Sequence, residues 1–542
     1  MSWMGSTDLL FTFLAIPVFI AGIIKYGERT WVLRSASTKQ FRDSLLPDPD
    51  PGPDYAKLME EISQSGSFMS VPSAPICYFP RTGSNAFCLD EANILFGKLK
   101  KLYAGLILSF HEITVTSSIM STSTEAFKRI EVELGFLYDV LYTKATIIYS
   151  RVGIFLRSVT LLSSISTLVA FSLVIDKNAY SNIDVTITYL LLVGTILVEI
   201  YAVFVILFSD WAMLWLIKHK KPWTNSIYEA VSSSRRVLTN DDNRWSGSMA
   251  QFNLISFCLK DKPTKRDSVL KLFGIYEMLE KHQHKTFEDV NIELKDLIFQ
   301  RIRENHGRLR RENVKEISTQ RGDSVLVEKN CIDKFGWSIG KVEFDESLLL
   351  WHIATDLCYY SDLDEYPDAN LGSKFKLGKL LSDYMSYLLI MCPFMLPKGI
   401  GQIRFRDTCA EAERFFQQRR LFKLSSRSNA CMLLLQVNIQ PSIQMVKGDR
   451  SKSVLFYGCK LAHLLQSLIT EEGWDNEEKW EMISYVWVEM LSYAASQCEW
   501  NHHAEQLRRG GELLTHVRLL KEHLGLSKQY QIFSGTSRAT VH

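Results

Sequence analysis

Two long apolar runs, separated by a short polar connection, dominate the middle of this 542-residue chain. They are Val152–Ile175 and Val185–Ile217, and each exceeds the roughly 20 apolar residues that a helix needs to cross the hydrocarbon core of a bilayer. The second run ends in two tryptophans and a basic cluster, a composition typical of a headgroup boundary. The pattern predicts an integral membrane protein built around a transmembrane hairpin.

A third apolar segment, Leu9–Ile24, lies near the N-terminus and contains Pro17, which membrane helices tolerate. A cleaved signal peptide is the alternative interpretation. However, Met1–Asp8 carries no positive charge, basic residues follow the segment, and no small-x-small cleavage signal is present. We therefore expect residues 1–24 to be an uncleaved membrane anchor.

The distribution of Lys and Arg predicts the orientation. Basic residues follow the first span, precede the second and follow the third, whereas the connection Asp176–Asp184 has a single lysine against two aspartates. Because cytoplasmic loops carry the excess of Lys and Arg, residues 25–151 and 218–542 are expected in the cytoplasm. The predicted fold is therefore mainly α, with several transmembrane helices and a large helical cytoplasmic domain.

The overall charge argues against nucleic acid as a partner. Lys and Arg number 62 and Asp and Glu number 60, whereas binding to nucleic acid requires a basic face that neutralises phosphates. The ten cysteines include no C-x-x-C pair, and their scatter is typical of buried thiols in a reducing compartment. The partners that we expect are the lipid bilayer and other proteins.

The chain divides into five segments by composition. They are the membrane anchor (1–24), a cytoplasmic segment with a proline-rich linker and an amphipathic helix (25–151), the transmembrane hairpin (152–217), a helical cytoplasmic segment ending in a polar linker (218–330), and a C-terminal helical domain (331–542).

Local patterns support this division. The proline-rich linker is Leu46–Asp54, whose four prolines exclude a helix, and the amphipathic helix is Ile130–Ala145. Residues 300–322 are polar and net basic, which predicts a solvated linker, with contact to anionic lipid as the alternative. Helical periodicity predicts further helices in the C-terminal domain: Leu348–Tyr360, Leu380–Met391, Ser453–Ile469, Trp480–Trp500 and Gly511–Leu524.

Three charged residues in or beside the hairpin are candidates for a special role. Glu199 lies in the middle of the third span, where an ionised carboxylate is costly and usually has a partner or a function. In a tight hairpin, Arg157 is roughly 9 Å from Glu199 and roughly 7 Å from Asp210 in height, and long side chains can close such gaps by snorkelling. We expect a charge pair that fixes the hairpin; an ion or proton path is the alternative.

Two groups in the C-terminal domain could carry chemistry. His352 and Asp356 share a helix face, so the aspartate could orient the histidine for catalysis, or the two could tie helices together by hydrogen bonds. Cys498 and His502 have i, i+4 spacing, with His503 beside them, which could bring two ligands to one metal. A metal site needs three or four converging ligands, so none is predicted.

A complete catalytic set or cofactor motif is missing from the sequence. Gly372–Leu380 departs from a phosphate loop in its spacing and in the leucine where a hydroxyl must stand, and no dinucleotide glycine fingerprint occurs. No cofactor is predicted. The leading hypothesis is a non-enzymatic interaction or regulatory module that presents a helical domain at a membrane. A metal-dependent or His/Asp-based enzyme, and a transport component using Glu199, are the alternatives.

Several stretches are similar to a known family. Ala21–Leu33, Glu131–Ala145, Arg244–Asp261 and the hairpin resemble domain of unknown function 4220, and Cys498–Leu514 (CEWNHHAEQLRRGGELL) resembles domain of unknown function 594. The resemblance implies a multi-spanning plant membrane protein with no established activity, and it supplies no catalytic residues. Because family members usually carry further apolar spans before the segment that matches Leu9–Ile24, it also implies that the hairpin ends a longer membrane domain.

Overall fold

The structure is a computed structural model of the chain. It describes the following residues: 4–45, 84–105, 122–174, 181–219, 222–238, 245–259, 281–308, 319–366, 372–419, 427–437, 453–524 and 526. The proline-rich linker predicted at Leu46–Asp54 lies outside these residues. Contacts divide the chain into two units: unit 1 comprises 1–108 and 128–244, and unit 2 comprises 109–127 and 245–542.

Unit 1 is helical throughout its described residues. Residues 123–127, which begin the helix Ser123–Tyr142, are grouped with unit 2. The helices are α1 (Met4–Ser35), α2 (Thr38–Asp43), α3 (Ser84–Tyr103), α4 (Ser123–Tyr142), α5 (Ala145–Ile148), α6 (Arg151–Val174), α7 (Asn182–Leu207), α8 (Asp210–Lys218) and α9 (Pro222–Leu238).

The long helices of unit 1 include the three predicted spans. Helix α6 packs against both α1 and α7. The predicted anchor Leu9–Ile24 is helical, but α1 continues to Ser35 without a break, because no strong helix breaker follows Ile24. The basic residues after that segment therefore extend the same helix. Whether α1 crosses a membrane stays a prediction.

Unit 2 combines helices with one small sheet. Its helices are α10 (Leu254–Cys258), α11 (Ile292–Arg308), α12 (Asp323–Glu328), α13 (Ile332–Phe335), α14 (Phe344–Glu365), α15 (Gly372–Met391), α16 (Gly401–Gln418), α17 (Arg427–Leu435), α18 (Val454–Glu472), α19 (Asn476–Gln497), α20 (Trp500–Leu507) and α21 (Leu513–His523). Single 3₁₀ turns follow α13 at Gly336–Ser338 and α15 at Pro393–Met395.

Helix α14 is the centre of unit 2. Residues 347–358 are all buried, and a helix that is buried on every side must be surrounded by other elements. Accordingly, α14 packs against α15, α16, α17 and α18. Its approach to α18 is close at Gly458, where an added Cβ would lie 2.7 Å from the side chain of Ile353. This contact requires glycine at position 458.

Both ends of α19 are stabilised by side chains, and those at its C-terminal end come from α21. At its start, Asp475 and Glu478 form a capping box, in which each side chain accepts the backbone N–H of the other. At its end, Arg518 of α21 donates to the carbonyls of residues 495 and 496, and Lys521 donates to that of residue 492. Arg518 therefore satisfies two free carbonyls at the negative end of the helix dipole, and the ammonium of Lys521 adds a second positive charge there.

The sheet is a two-stranded antiparallel ribbon that the sequence pattern did not predict. Strand β1 (Ser248–Gln251) pairs with β2 (Thr286–Asp289), so that Ser248 lies opposite Asp289. Both strands are short and poor in β-branched residues, which removes the usual signal. Strand β1 contacts α15, and the backbone N–H of Phe252 just after it bonds to the carbonyl of Asp383.

The linker predicted at residues 300–322 is wrong over its first part, because residues 300–308 complete α11. The side chain of Arg301 is fully buried, with its guanidinium 2.9 Å from Glu489 of α19 and 3.0 Å from Glu328 of α12. The charged residues were mistaken for a solvated segment because their partners lie far away in sequence. Tertiary ion pairs make this polar stretch part of the core.

The mainly helical fold class is confirmed across the described residues. The contact grouping places residues 218–244 with the hairpin and 245–330 with the C-terminal helices. The five segment boundaries remain a division by sequence composition.

Candidate functional site

An ion-pair cluster in unit 1 is centred on Glu199 of α7. The Glu199 carboxylate pairs with the ammonium of Lys25 of α1, and its other oxygen lies 3.8 Å from the guanidinium of Arg157 of α6. Glu199 is buried. One carboxylate therefore links all three long helices of unit 1, and Lys25 is the partner that sequence reasoning missed.

The cluster lies nearer one end of the helices than predicted. Glu199 is eight residues before the end of α7 and Arg157 is six residues after the start of α6, which corresponds to about 12 Å and about 9 Å along the helix axes. Glu199 and Arg157 are thus at similar positions along the hairpin axis, and their side chains can meet without snorkelling. Asp210 is the first residue of α8, three residues beyond the end of α7, and its pairing with Arg157 stays a prediction.

The surfaces of α6 and α7 reverse the usual arrangement of a water-soluble fold. All but one of the buried residues described on α6 are small or polar, namely Gly153, Thr160, Ser164 and Thr167; Phe171 is the exception. Large apolar residues face outward on both helices: Val152, Ile154, Phe155, Leu162, Val169, Leu173, Leu190, Leu191, Leu197, Val198, Ile200 and Phe204. Small residues let helices approach each other closely where lipid rather than water surrounds them.

A buried polar cluster in unit 2 begins with His352 of α14. The imidazole is fully buried; its Nε2 accepts the backbone N–H of Leu254, and its Nδ1 lies 2.9 Å from the hydroxyl of Ser382. Because Nε2 is an acceptor, the proton is on Nδ1 and is donated to Ser382. Burial lowers the pKa of His352 to about 4, so the ring is neutral at neutral pH.

Asp356, one turn further along α14, holds the charged part of this cluster. Its carboxylate lies 2.7 Å from the guanidinium of Arg427 and 3.2 Å from the ammonium of Lys379. The amide of Asn253 donates to both Asp356 and Asp383, at 3.1 Å each. Burial alone would raise the pKa of Asp356, but the two cations outweigh it and hold the pKa well below its usual range.

The cluster joins four elements rather than presenting a reactive group. His352 is bonded through both ring nitrogens, to Leu254 of α10 and Ser382 of α15, so Asp356 does not orient it. Asp356 and Asp383 are shared by two cations. Of the alternatives drawn from the sequence, hydrogen bonds that tie helices together describe this geometry, and general base catalysis by His352 does not, since no ring nitrogen is free.

The predicted pairing of Cys498 with His502 rests on a shared helix face that the structure does not contain. Helix α19 ends at Gln497, Cys498 has extended backbone, and α20 begins at Trp500. The i, i+4 relation therefore fails. Burial raises the pKa of the Cys498 thiol to about 12, which keeps it in the protonated form that is neither a nucleophile nor a metal ligand.

The two histidines next to Cys498 point to different neighbours. His503 is buried, its Nδ1 lies 3.0 Å from the hydroxyl of Thr515, and burial lowers its pKa to about 3. The ring of His502 lies against Phe394. Within the described ranges, no group of three or more His, Cys, Asp or Glu side chains is placed to hold a metal ion.

Several residues of these clusters carried no sequence signal that singled them out. Asn253, Lys379, Asp383 and Arg427 are polar residues in ordinary contexts, and only the fold brings them to Asp356. Lys25 is different, because it directly follows an apolar run and could have been matched with Glu199. An unpaired intramembrane carboxylate calls for a cation on a neighbouring helix.

Together these features define a mainly helical protein in which two helices, Arg151–Leu173 and Asn182–Leu207, are long and apolar enough to cross a membrane. Residues 1–258 match the family model described as Domain of unknown function (DUF4220), and residues 472–526 match Protein of unknown function, DUF594. The chain therefore carries a DUF4220 region followed by a DUF594 region, in the predicted order, and this prediction is confirmed. Its plant origin stays a prediction. Neither the curated proteins nor the solved structures gave a match.

Proposed function

We propose that this chain is an integral membrane protein whose C-terminal helical unit acts as a non-enzymatic interaction or regulatory module in the cytoplasm. The observation that carries the membrane assignment is the reversed polarity of the hairpin. Only 22% of the apolar window in α6 and 11% of that in α7 is buried. A core helix of a water-soluble protein would be mostly buried, and a signal sequence would lie at the N-terminus.

The ion pairs of Glu199 support the same proposal. A carboxylate within an apolar hairpin is costly unless a cation compensates it, and Lys25 and Arg157 supply that compensation. A second ion pair, between Glu28 and Lys144 at 3.4 Å, also involves α1. The charges are thus arranged to hold three helices together, which favours a structural role over an ion path.

The chemistry of unit 2 supports a non-enzymatic role. Its buried histidine and carboxylates are bonded to neighbouring helices. Burial raises the pKa of the thiols of Cys358, Cys459 and Cys498 to about 12, which leaves them poor nucleophiles. What this unit offers is a surface on a closely packed helical core, the property expected of an interaction module.

Leu197→Arg tests the membrane assignment. Leu197 faces outward from α7 with 60% of its surface exposed. If that surface is lipid, arginine makes insertion less favourable by about 3 kcal/mol. The fraction of full-length protein that resists alkaline carbonate extraction from microsomes is then expected to fall.

The matched control is Ser234→Arg, on the exposed surface of α9, which should leave extraction unchanged. A hairpin surrounded by water would give the opposite result. The wild-type chain would be released by carbonate without detergent, and Leu197→Arg would behave like the control.

A further inference from the structure

An exposed aromatic stripe begins at the end of the hairpin segment and continues beyond it. It consists of Trp215 and His219 at the end of α8 and Trp223 and Ile227 in α9, four residues apart in succession. The rings of Trp215 and His219 stack at 4.2 Å, and Trp223 lies 6.4 Å from Trp215. Trp215 and Trp223 are 49% and 51% exposed. Two large aromatic residues side by side on a surface mark a site of interaction.

The local structure holds the stripe in place. Met213, Leu214 and Leu216 bury the opposite side of α8, which leaves Trp215 facing outward. The imidazole Nδ1 of His219 donates to the carbonyl of Trp215 and closes the end of the helix. The hydroxyl of Thr224, near the start of α9, donates to the carbonyl of His219. This bond ties the start of α9 to the end of α8, and the two tryptophans lie near each other.

Two observations point to lipid headgroups as the partner that covers the stripe. Trp215 comes eight residues after Leu207, the end of the outward-facing apolar surface of α7, and tryptophan is enriched where a protein meets the headgroup layer. Residues 218–238 contain five Lys or Arg and a single Glu, and Lys218 is exposed beside the stripe. A basic segment next to a membrane attracts anionic lipid.

We propose that the aromatic stripe is a lipid-binding surface that lies in the headgroup layer and prefers anionic phospholipid. This proposal rests on the membrane insertion of the hairpin. It adds that α9 lies along the membrane surface instead of projecting into water. The aromatic rings bind the boundary between headgroups and acyl chains, and Lys218 contacts the anionic headgroups.

Tryptophan quenching in vesicles tests the depth of the stripe. Full-length protein and its Trp215→Phe/Trp223→Phe variant are reconstituted in equal parts of phosphatidylcholine and phosphatidylserine. The fluorescence difference between them reports on the two tryptophans alone. We expect this difference signal to be quenched strongly by lipids brominated near the ester end of the acyl chains and weakly by aqueous iodide. Trp474→Phe, at a half-buried site in unit 2, is the control and should show no bromine-dependent difference.

Replacing Lys218 tests the lipid preference. An interfacial lysine contributes about 1 kcal/mol to the attraction of anionic lipid, which corresponds to about fivefold. Lys218→Gln should therefore lower the association of spin-labelled phosphatidylserine, relative to phosphatidylcholine, by a factor of up to about five. Lys341→Gln, an exposed lysine in unit 2, should leave it unchanged.

The outcomes separate this proposal from the membrane assignment. If the reconstituted protein is extracted by carbonate, the membrane assignment itself fails. If it resists extraction but the two tryptophans are quenched by iodide and not by bromine, the stripe faces water and the lipid proposal is wrong. Protection from both quenchers would mean that protein covers the stripe, either another part of the chain or a second copy, which also overturns the lipid proposal. Equal behaviour of Lys218→Gln and Lys341→Gln would remove the preference for anionic lipid.

Discussion

Acidification below pH 6.5 is expected to destabilise unit 2 steeply, with stability lost progressively down to about pH 4. Burial lowers the pKa of His352 and of His516 to about 4, and that of His503 to about 3. In this window the unfolded chain binds protons at these histidines and the folded chain does not. The free energy of unfolding therefore falls as pH falls, by up to about 1.4 kcal/mol per pH unit for each histidine.

The measurement is the unfolding midpoint of the full chain in detergent as a function of pH. Tryptophan fluorescence reports mainly on unit 2, which contains seven of the twelve tryptophans, among them the fully buried Trp351, Trp480 and Trp487. Glu512 acts in the opposite direction, since burial raises its pKa and its contribution to stability is lost as pH rises above its unfolded value.

Substitutions assign the acid effect to individual histidines. His352→Gln should reduce the dependence of the unfolding free energy on pH by the contribution of one histidine. His219→Gln, at an exposed site outside unit 2, should leave that dependence unchanged. A midpoint that stays constant between pH 6.5 and 4 would show that these imidazoles are not held neutral inside the fold.

Replacing Asp356 by asparagine is expected to destabilise unit 2 by about 3 kcal/mol. The substitution keeps the shape of the side chain but removes the charge that compensates Arg427 and Lys379. Breaking a buried ion pair on one side is costly because the remaining charge stays desolvated. Asp383 still accompanies both cations, which places the effect at the lower end of the usual range.

Asp364→Asn is the matched control for this substitution, because Asp364 lies on the same helix and is exposed. Its effect should stay within about 0.5 kcal/mol. Thermal or denaturant unfolding of both variants, followed by tryptophan fluorescence, measures the difference. Equal stability of the two variants would show that the ion pairs of Asp356 do not stabilise the packing of α14 against its neighbours.

The sequence predicted the helices well and their polar contacts poorly. The apolar periodicity around Leu348–Tyr360 was sufficient to predict α14, because burial of an apolar surface is a local pattern. That His352 bonds to Leu254 and Ser382 could not be predicted, since these partners are 98 and 30 residues away in the chain. Polar partners in a core are determined by packing, which leaves no spacing rule in the sequence.

Two predictions were wrong because the local sequence carries no signal for the structure that forms there. Residues 300–308 were interpreted as linker because they are charged, yet the buried ion pairs of Arg301 make them helix. The predicted helix Trp480–Trp500 was extended through Cys498, although the chain turns there without a glycine or proline to signal it. The ion-pair cluster around Glu199 was closer to prediction, because a carboxylate in a long apolar helix calls for a cation nearby.

The most direct test of the membrane hairpin is the accessibility of two engineered cysteines in sealed microsomes. Asn182→Cys lies at the start of α7, and Ser234→Cys lies in α9 beyond the hairpin; both positions are exposed. The wild-type chain, with several native thiols buried, supplies the background. We expect a membrane-impermeant maleimide to modify Ser234→Cys in intact vesicles and Asn182→Cys only after detergent. Modification of both cysteines without detergent would place the connection and α9 on the same side and would contradict a membrane-spanning hairpin.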